Sequence, residues 1–418
     1  MSQNTVAQTT GRYLILFRED SVSEGVQMLS EAVDAQAAEI LIFGDLGVAV
    51  VDAEPAQLNS LNIASQQDSP ILAIEPEQVV YALGGDELGD PESLISGSTL
   101  DVSVDYLRGY QDAITNLMGR LIPSDQARSV QAAVDESTAT WGLQATKVIN
   151  SRFSGQGIKV AVLDTGFDFT HPDFLGRQIV SKSFVEDEDV QDGHGHGTHC
   201  VGTTCGPQNP GTLPRYGIAY DAEILVGKVL SNQGSGTDSQ ILQGIEWAIA
   251  NDCHIISMSL GSPTRPGQSY SRIYEAVAQR ALNRGTLIVA AAGNESRRSL
   301  GIVNPVARPA NCPSILAVAA LDVREQVANF SNRGLNLDGG QVDIAGPGVN
   351  VRSSWVMPIQ YRTISGTSMA TPHVAGIAAL HAEAGGVRGH ELWNRLIRNA
   401  RRLPLPSTDV GAGLVQAP

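Results

Sequence analysis

Residues 158–166 read Ile-Lys-Val-Ala-Val-Leu-Asp-Thr-Gly, an apolar run that ends in a carboxylate and a glycine. A strand that is apolar on both faces belongs in a sheet covered on both sides, the habit of parallel sheets flanked by helices. Four further runs of this texture follow: ILVGKVL from Ile224, HIISMSL from His254, TLIVAAAG from Thr286 and ILAVAAL from Ile315. Between them, residues 238–251 (DSQILQGIEWAIAN) and 271–283 (SRIYEAVAQRALN) carry apolar side chains at helical spacing, and two more helices are predicted over 367–383 and 390–400. The alternation predicts one doubly wound α/β domain over residues 141–418, its sheet mostly parallel with helices on both faces.

Upstream the texture changes. Residues 13–17 (YLILF), 46–51 and 70–73 read as strands, and 23–37 and 54–61 as helices, enough for a small α+β domain over 12–84. Residues 85–140, a Gly/Asp/Ser-containing stretch around one predicted helix at 106–121, read as a linker and processing region. The charge changes too. Residues 1–140 hold 22 Asp and Glu against 5 Arg and no Lys, a net of −17, whereas residues 141–418 hold 23 Lys and Arg against 22 acids, a net of +1. The overall −16 is therefore confined to the first third, which marks separate parts with separate tasks rather than one domain adapted to salt.

With 42% hydrophobic and 17% charged residues and 43 glycines, the chain has the make-up of a packed enzyme with many tight loops, not of a disordered or coiled-coil protein. Residues 1–11 (MSQNTVAQTTG) lack the basic start and apolar stretch of a secretory signal, and no apolar run approaches the roughly 20 residues of a membrane-spanning helix. The expectation is a chain without nucleic-acid or membrane partners, either cytoplasmic, exported by another route, or lacking a signal that once preceded it. Cys200, Cys205, Cys253 and Cys312 are too few and scattered for a disulfide framework. Cys200 and Cys205 lie about 140° apart on a shared helix and do not pair, while a Cys253–Cys312 bridge and four free thiols both stay open.

Three segments carry chemistry. Asp164 ends the 158–164 strand, at the sheet edge where catalytic groups of open α/β folds gather; a plain turn-capping Asp is the alternative. Asp-Thr-Gly also marks aspartic proteases, but those need two such carboxylates, and a single copy would require a homodimer. In DGHGHGTHCVG (192–202), His194, His196 and His199 invite a zinc reading, although a hydrolytic site of that kind would want a carboxylate where Thr198 stands. In ISGTSMATPHVAG (364–376), Ser368 lies among small residues before Pro372, a proline expected in the first turn of a helix. Ser368 would then sit at a helix N-terminus, where backbone N–H groups favour developing negative charge.

Taken together, AVLDTG, HGTHCVG and GTSMATPHVAG, in the order Asp, His, Ser, resemble the subtilisin family of serine peptidases over nearly all of residues 141–418. The resemblance implies a serine endopeptidase with Asp164, His196 and Ser368 as its triad. AAAGNE places Asn294 where the family keeps its oxyanion-hole amide. Gly234, Ser235, Gly236 and Ser259, Leu260, Gly261 match the two segments that flank the substrate backbone. Small residues at Ala291, Ala292 and Gly293 imply an open pocket for a bulky apolar residue before the cut. Asp238 stands where many relatives carry an aromatic residue. No cofactor is needed for the chemistry; structural calcium, the family's usual ion, has a candidate position at residues 186–189 with Asp192. Residues 1–84 resemble, more loosely, the family's inhibitory propeptides, so the expected partners are protein or peptide substrates and the chain's own N-terminal propeptide, whose closing strand near 76–83 is expected to approach the active-site cleft as a product would or to lead into the linker that does. An inactive binding protein on the same fold, and a zinc hydrolase using His194, His196 and His199, are the alternatives.

Overall fold

The computed structural model describes residues 8–32, 40–53, 69–84 and 134–418. The helices expected over 54–61 and 106–121 lie outside the described residues. The first layer comprises β1 (Thr9–Phe17), α1 (Val22–Ala32), β2 (Ile40–Phe43), β3 (Val48–Asp52) and β4 (Ile71–Ala82). Its strands are antiparallel in the order β4-β1-β3-β2. Alternate side chains of a strand face opposite ways, and here both faces are apolar. Ile15, Phe17, Ala49, Val51 and Ile71 form one cluster with Leu29 of α1, while Leu14, Leu16, Phe43, Leu46, Val48 and Val50 join the main core of the molecule.

The α/β unit contributes α2 (Trp141–Ala145), β5 (Lys159–Asp164), β6 (Ile179–Ser183), α3 (His196–Cys205), β7 (Glu223–Lys228), β8 (Ser235–Thr237), α4 (Asp238–Ala250), β9 (Ile255–Met258), β10 (Leu260–Gly261), α5 (Arg272–Asn283), β11 (Leu287–Ala291), β12 (Leu316–Leu321), β13 (Ile344–Pro347), the hairpin β14 (Val351–Ser354) and β15 (Tyr361–Ile364), α6 (Thr367–Gly385), α7 (Gly389–Asn399) and α8 (Ser407–Val410). Seven strands form the parallel sheet β13-β12-β11-β9-β5-β7-β6. From β5 the chain runs to β6 and β7 on one side and then crosses to β9 on the other, so the strand order reverses beside β5. A crevice opens at the C-terminal ends of the strands at such a reversal, and Asp164 is the last residue of β5.

Helix α6 is buried continuously from Thr367 to Ala382, as befits a helix made of small and apolar residues. Pro372 lies inside it, a turn later than the sequence suggests. A proline there offers no N–H to the carbonyl four residues back. That carbonyl belongs to Ser368, and it accepts instead from Ser259 Oγ at 2.8 Å and from the Cys200 thiol at 3.7 Å.

Two further departures concern the first layer. Ile40–Phe43 is an unforeseen strand, and the strands expected at 70–73 and near 76–83 are one continuous strand, β4, that runs through the polar segment Glu75-Pro76-Glu77-Gln78. β4 tolerates this because its second half is held by other partners: Val79–Tyr81 pair with β8, and Tyr81 and Ala82 with β10. One strand thus belongs to both layers. All four cysteines are free thiols.

Leu29 is fully buried between α1 and the outer face of the first sheet. Leu29→Ala, made in a Ser368→Ala background, is expected to destabilise the first layer by about 2–5 kcal/mol. Urea unfolding followed by proteolytic susceptibility should show the loss in residues 8–84 and leave the α/β unit unmoved.

Candidate active site

The loop before α3 is held by one side chain. Asp192 Oδ1 accepts from Thr165 Oγ1 (3.0 Å) and from the N–H groups of His194 (2.9 Å) and Gly195 (2.8 Å), while Oδ2 accepts from the N–H (2.9 Å) and Oγ1 (2.7 Å) of Thr198. Thr165 Oγ1 in turn accepts from the N–H of Gly197 at 2.8 Å. Gly195 takes φ +103, and a Cβ there would collide with the Trp355 ring, so only glycine can lead the chain into the helix that starts at His196.

His196 Nδ1 lies 2.7 Å from Asp164 Oδ1, both side chains almost fully buried. The carboxylate fixes the tautomer: Nδ1–H donates to Asp164, leaving Nε2 as the basic atom. Burial disfavours the imidazolium, but the Asp164 charge outweighs it and raises the His196 pKa well above its ordinary 6.5. Ser368 Oγ donates to the Ser259 carbonyl at 3.0 Å, and His196 Nε2 has no hydrogen-bond partner among the described residues. Gly84 occupies the space between these two groups. A Cβ on it would lie 3.2 Å from Ser368 Cβ and 3.3 Å from His196 Nε2.

The Leu83 carbonyl accepts two hydrogen bonds, from Asn294 Nδ2 at 2.7 Å and from the Ser368 backbone N–H at 3.3 Å. The Asn294 amide is oriented from behind: its Oδ1 accepts from the N–H and Oγ1 of Thr367, both at 2.9 Å, so Nδ2 must face the carbonyl. A Cβ on Gly366 would lie 2.8 Å from the same oxygen, which requires glycine there as well. The arrangement places a peptide carbonyl carbon beside a serine hydroxyl, with two donors on its oxygen.

The two flanking segments lie on either side of β4. Gly234 O accepts from Ala82 N (2.9 Å), Ser259 O accepts from Leu83 N (3.1 Å), and Ser235, Gly236, Leu260 and Gly261 pair with β4 on its two sides. Leu83 is buried, with its Cδ1 over Gly261. Ala291 and Ala292 are buried at the end of β11, and Gly293, at φ +105, leaves no room for a Cβ beside Asn332. Asp238 is buried and paired with Arg308 at 2.8 Å, so a charged pair stands at this position. The sequence points to the segment near 76–83 as the one that approaches the cleft, but reasoning from it missed Gly84, Ser262 and Arg308; the only signal for Gly84 was that the apolar closing run of the first layer ends there.

The three histidines do not converge. His194 and His196 have ring centroids 6.1 Å apart, and burial with the neighbouring His196 lowers the His194 pKa. His199 Nε2–H donates to the Val351 carbonyl at 3.0 Å, and burial pushes its pKa down to about 3. The zinc reading of His194, His196 and His199 is therefore set aside. Among the described residues one trio of potential ligands is close enough to share an ion, Asp164, His196 and Cys200. Its first two members bond each other, and burial holds the Cys200 thiol protonated with a pKa raised to about 11. With both oxygens of Asp192 engaged and Glu188 paired to Lys228 at 3.1 Å, a calcium site built on Asp192 does not fit this geometry either.

Residues 155–413 match the model of the subtilase family. The chain is 40% identical over 285 residues to a thermostable alkaline protease of Halalkalibacterium halodurans, covering 67% of this chain and 73% of that protein. It is 41% identical over 286 residues to subtilisin Savinase of Lederbergia lenta, 66% of this chain and 96% of that one. An alkaline protease of Alkalihalobacillus alcalophilus is 38% identical over 327 residues, 76% of this chain and 74% of that protein. A crevice at a strand-order reversal, a carboxylate–imidazole pair beside a serine, and these likenesses converge: the chain belongs to the subtilase family and is a serine endopeptidase.

Proposed function

We propose that Ser368 is the nucleophile, His196 its general base, Asp164 the group that orients and charges that base, and Asn294 with the Ser368 N–H the oxyanion hole. Ser368 Oγ turns from the Ser259 carbonyl to His196 Nε2, loses its proton there and attacks the substrate carbonyl. The oxyanion meets two donors already in place, and the imidazolium formed is stabilised by Asp164. His196 then protonates the leaving amine, and water repeats the sequence on the acyl-enzyme. Every group needed comes from the chain, and no cofactor enters.

We further propose that residues 12–84 are an inhibitory propeptide, 85–140 a linker and 141–418 the catalytic domain, with residues 134–140 lying against the latter through the backbone bonds of Arg215 N–H to the Thr138 carbonyl and of Thr140 N–H to the Arg215 carbonyl. The observation that carries this reading is the Leu83 carbonyl in the oxyanion donors, with β4 lying between β8 and β10 as a substrate strand would. The bond proposed for self-processing is Leu83–Gly84, one residue inside the 12–84 boundary, with Leu83 as the apolar residue before the cut and Gly84 leaving with the linker. Two carboxylates two residues apart on β4 hold the layers together. Glu75 accepts from Ser271 Oγ (2.5 Å) and Arg272 N (2.7 Å) at the start of α5, and Glu77 from Ser239 N (3.0 Å) at the start of α4. Both anions lie at the positive end of a helix.

Ser368→Ala removes one oxygen and is expected to leave a folded chain that never cuts itself, whereas the native chain yields a new N-terminus at Gly84 by intact-mass spectrometry. Processing of the variant at a comparable rate would disprove the nucleophile. Asn294→Ala is expected to lower kcat by ~10²–10³ with little change in KM, a magnitude taken from the equivalent loss in subtilisin rather than from this geometry. An unchanged kcat in steady-state peptide hydrolysis would mean another donor fills the hole. A fragment of residues 1–84 added in trans should inhibit the processed enzyme competitively, with only weak dependence on salt, and Glu77→Gln should raise its inhibition constant roughly tenfold. Absence of inhibition well above micromolar would remove the propeptide reading.

A further inference from the structure

Strand β8 is short. It ends at Thr237, whose side chain accepts from Gln240 N and closes a capping box, so from Asp238 onward the backbone turns into α4 and offers β4 no further carbonyl. The register pairs Val79 with Thr237 at that last rung. The next N–H up the strand, that of Gln78, would have no acceptor, yet it donates to Asp238 Oδ2 at 2.8 Å. A side-chain oxygen thus stands in for the missing backbone carbonyl and lengthens the ladder by one rung.

This oxygen is held as firmly as a backbone group. Arg308 Nη1 donates to both oxygens of Asp238, at 2.8 and 3.0 Å, and Tyr274 Oη donates to Oδ1 at 3.0 Å. Arg308 also lies over the Tyr274 ring, 4.8 Å from its centroid. Asp238 itself is fully buried. An ion pair at such depth adds little to stability by itself, because desolvation cancels most of the attraction, but it fixes a carboxylate in place. Beside it, Ser262 Oγ donates to Gln78 Oε1 at 3.2 Å, so the side chain at the same position is read as well.

Counting back from Leu83, the residue whose carbonyl is polarised, Gln78 is the sixth. Building on the reading that β4 lies in the cleft as a substrate does, we propose that Asp238 is a specificity-determining residue that binds the backbone N–H of the sixth substrate residue on the acyl side, with Ser262 beside it favouring an acceptor side chain there. The substrate class is accordingly extended polypeptide segments that reach at least six residues before the cut, with Gln, Asn, Glu or Asp at the sixth. Short peptides forgo the contact and are poorer substrates.

The test uses the processed enzyme and three chromogenic acyl peptides cut after Leu: acetyl-Gln-Val-Val-Tyr-Ala-Leu, the same peptide N-methylated at Gln, and acetyl-Val-Tyr-Ala-Leu. The native enzyme should show kcat/KM about tenfold higher for the first than for the second, the tetrapeptide falling with the second, since a hydrogen bond to a charged acceptor is lost in both. Asp238→Ala should bring the first two peptides to the same kcat/KM; a merely structural role would lower all three together. Should the variant fail to fold with Arg308 unpaired, the N-methyl comparison on the native enzyme decides alone. Equal kcat/KM for the first two peptides on the native enzyme, with inhibition by the 1–84 fragment intact, overturns the subsite and leaves the propeptide reading standing.

Discussion

Pairing of β4 between β8 and β10 is the interaction on which the arrangement of the whole molecule rests. Each of those short strands presents an edge of unpaired backbone groups, and the space between the two edges has the width of one strand. Whatever segment fills it acquires direction and register together. Because side chains alternate, a slip of one residue would turn Leu83 away from Gly261 and bring a different carbonyl to Asn294. The ladder therefore chooses the bond presented to Ser368, and the first layer is positioned by the same choice.

The groups assigned to the proposed triad and oxyanion hole owe their placement to constraints outside themselves. Asp164 is where β5 ends, so its position is a property of the parallel sheet. His196 is placed by Asp192, Thr165 and a glycine that Trp355 will not allow to change. Asn294 faces the cleft because Thr367 fills its other end. The Pro372 interruption of α6 ties the Ser368 carbonyl to Ser259 and Cys200 rather than to its own helix. Each of these supports removes a way for the reacting groups to be misplaced.

The α/β unit was legible in the sequence because its strands are buried on both faces and announce themselves as unbroken apolar runs. The proposed triad rests on three short motifs that fall in a fixed order. Strand β4 was legible as two pieces, at 70–73 and near 76–83, but not as one continuous strand, since Glu75, Pro76, Glu77 and Gln78 deny it any periodicity; its unbroken extended form is dictated by partners such as Gly236 and Gly261 that lie far along the chain. Asp238 could be noticed as unusual but not understood, because its role depends on Arg308 and Gln78 meeting across the fold. The zinc reading failed for a related reason: spacing shows that three imidazoles are near in sequence, not which way a helix turns them, and His199 is turned to Val351.

The two-sided sheet of the first layer bears on the order in which the chain can assemble. Its outer face closes locally, with α1, whereas among the described residues Leu14, Leu16, Val48 and Val50 are covered by the main core. The bonds that bring the halves together join residues 160 positions apart, as between Gln78 and Asp238, and 196 apart, as between Glu75 and Ser271. Contacts of such high order are slow to find, because the entropy of closing a long loop is lost before any burial offsets it. On a ribosome the first layer emerges well before α4 and α5 exist. It remains half-covered until they do, and the closing of its inner face and the docking of Leu83 become one late, cooperative event.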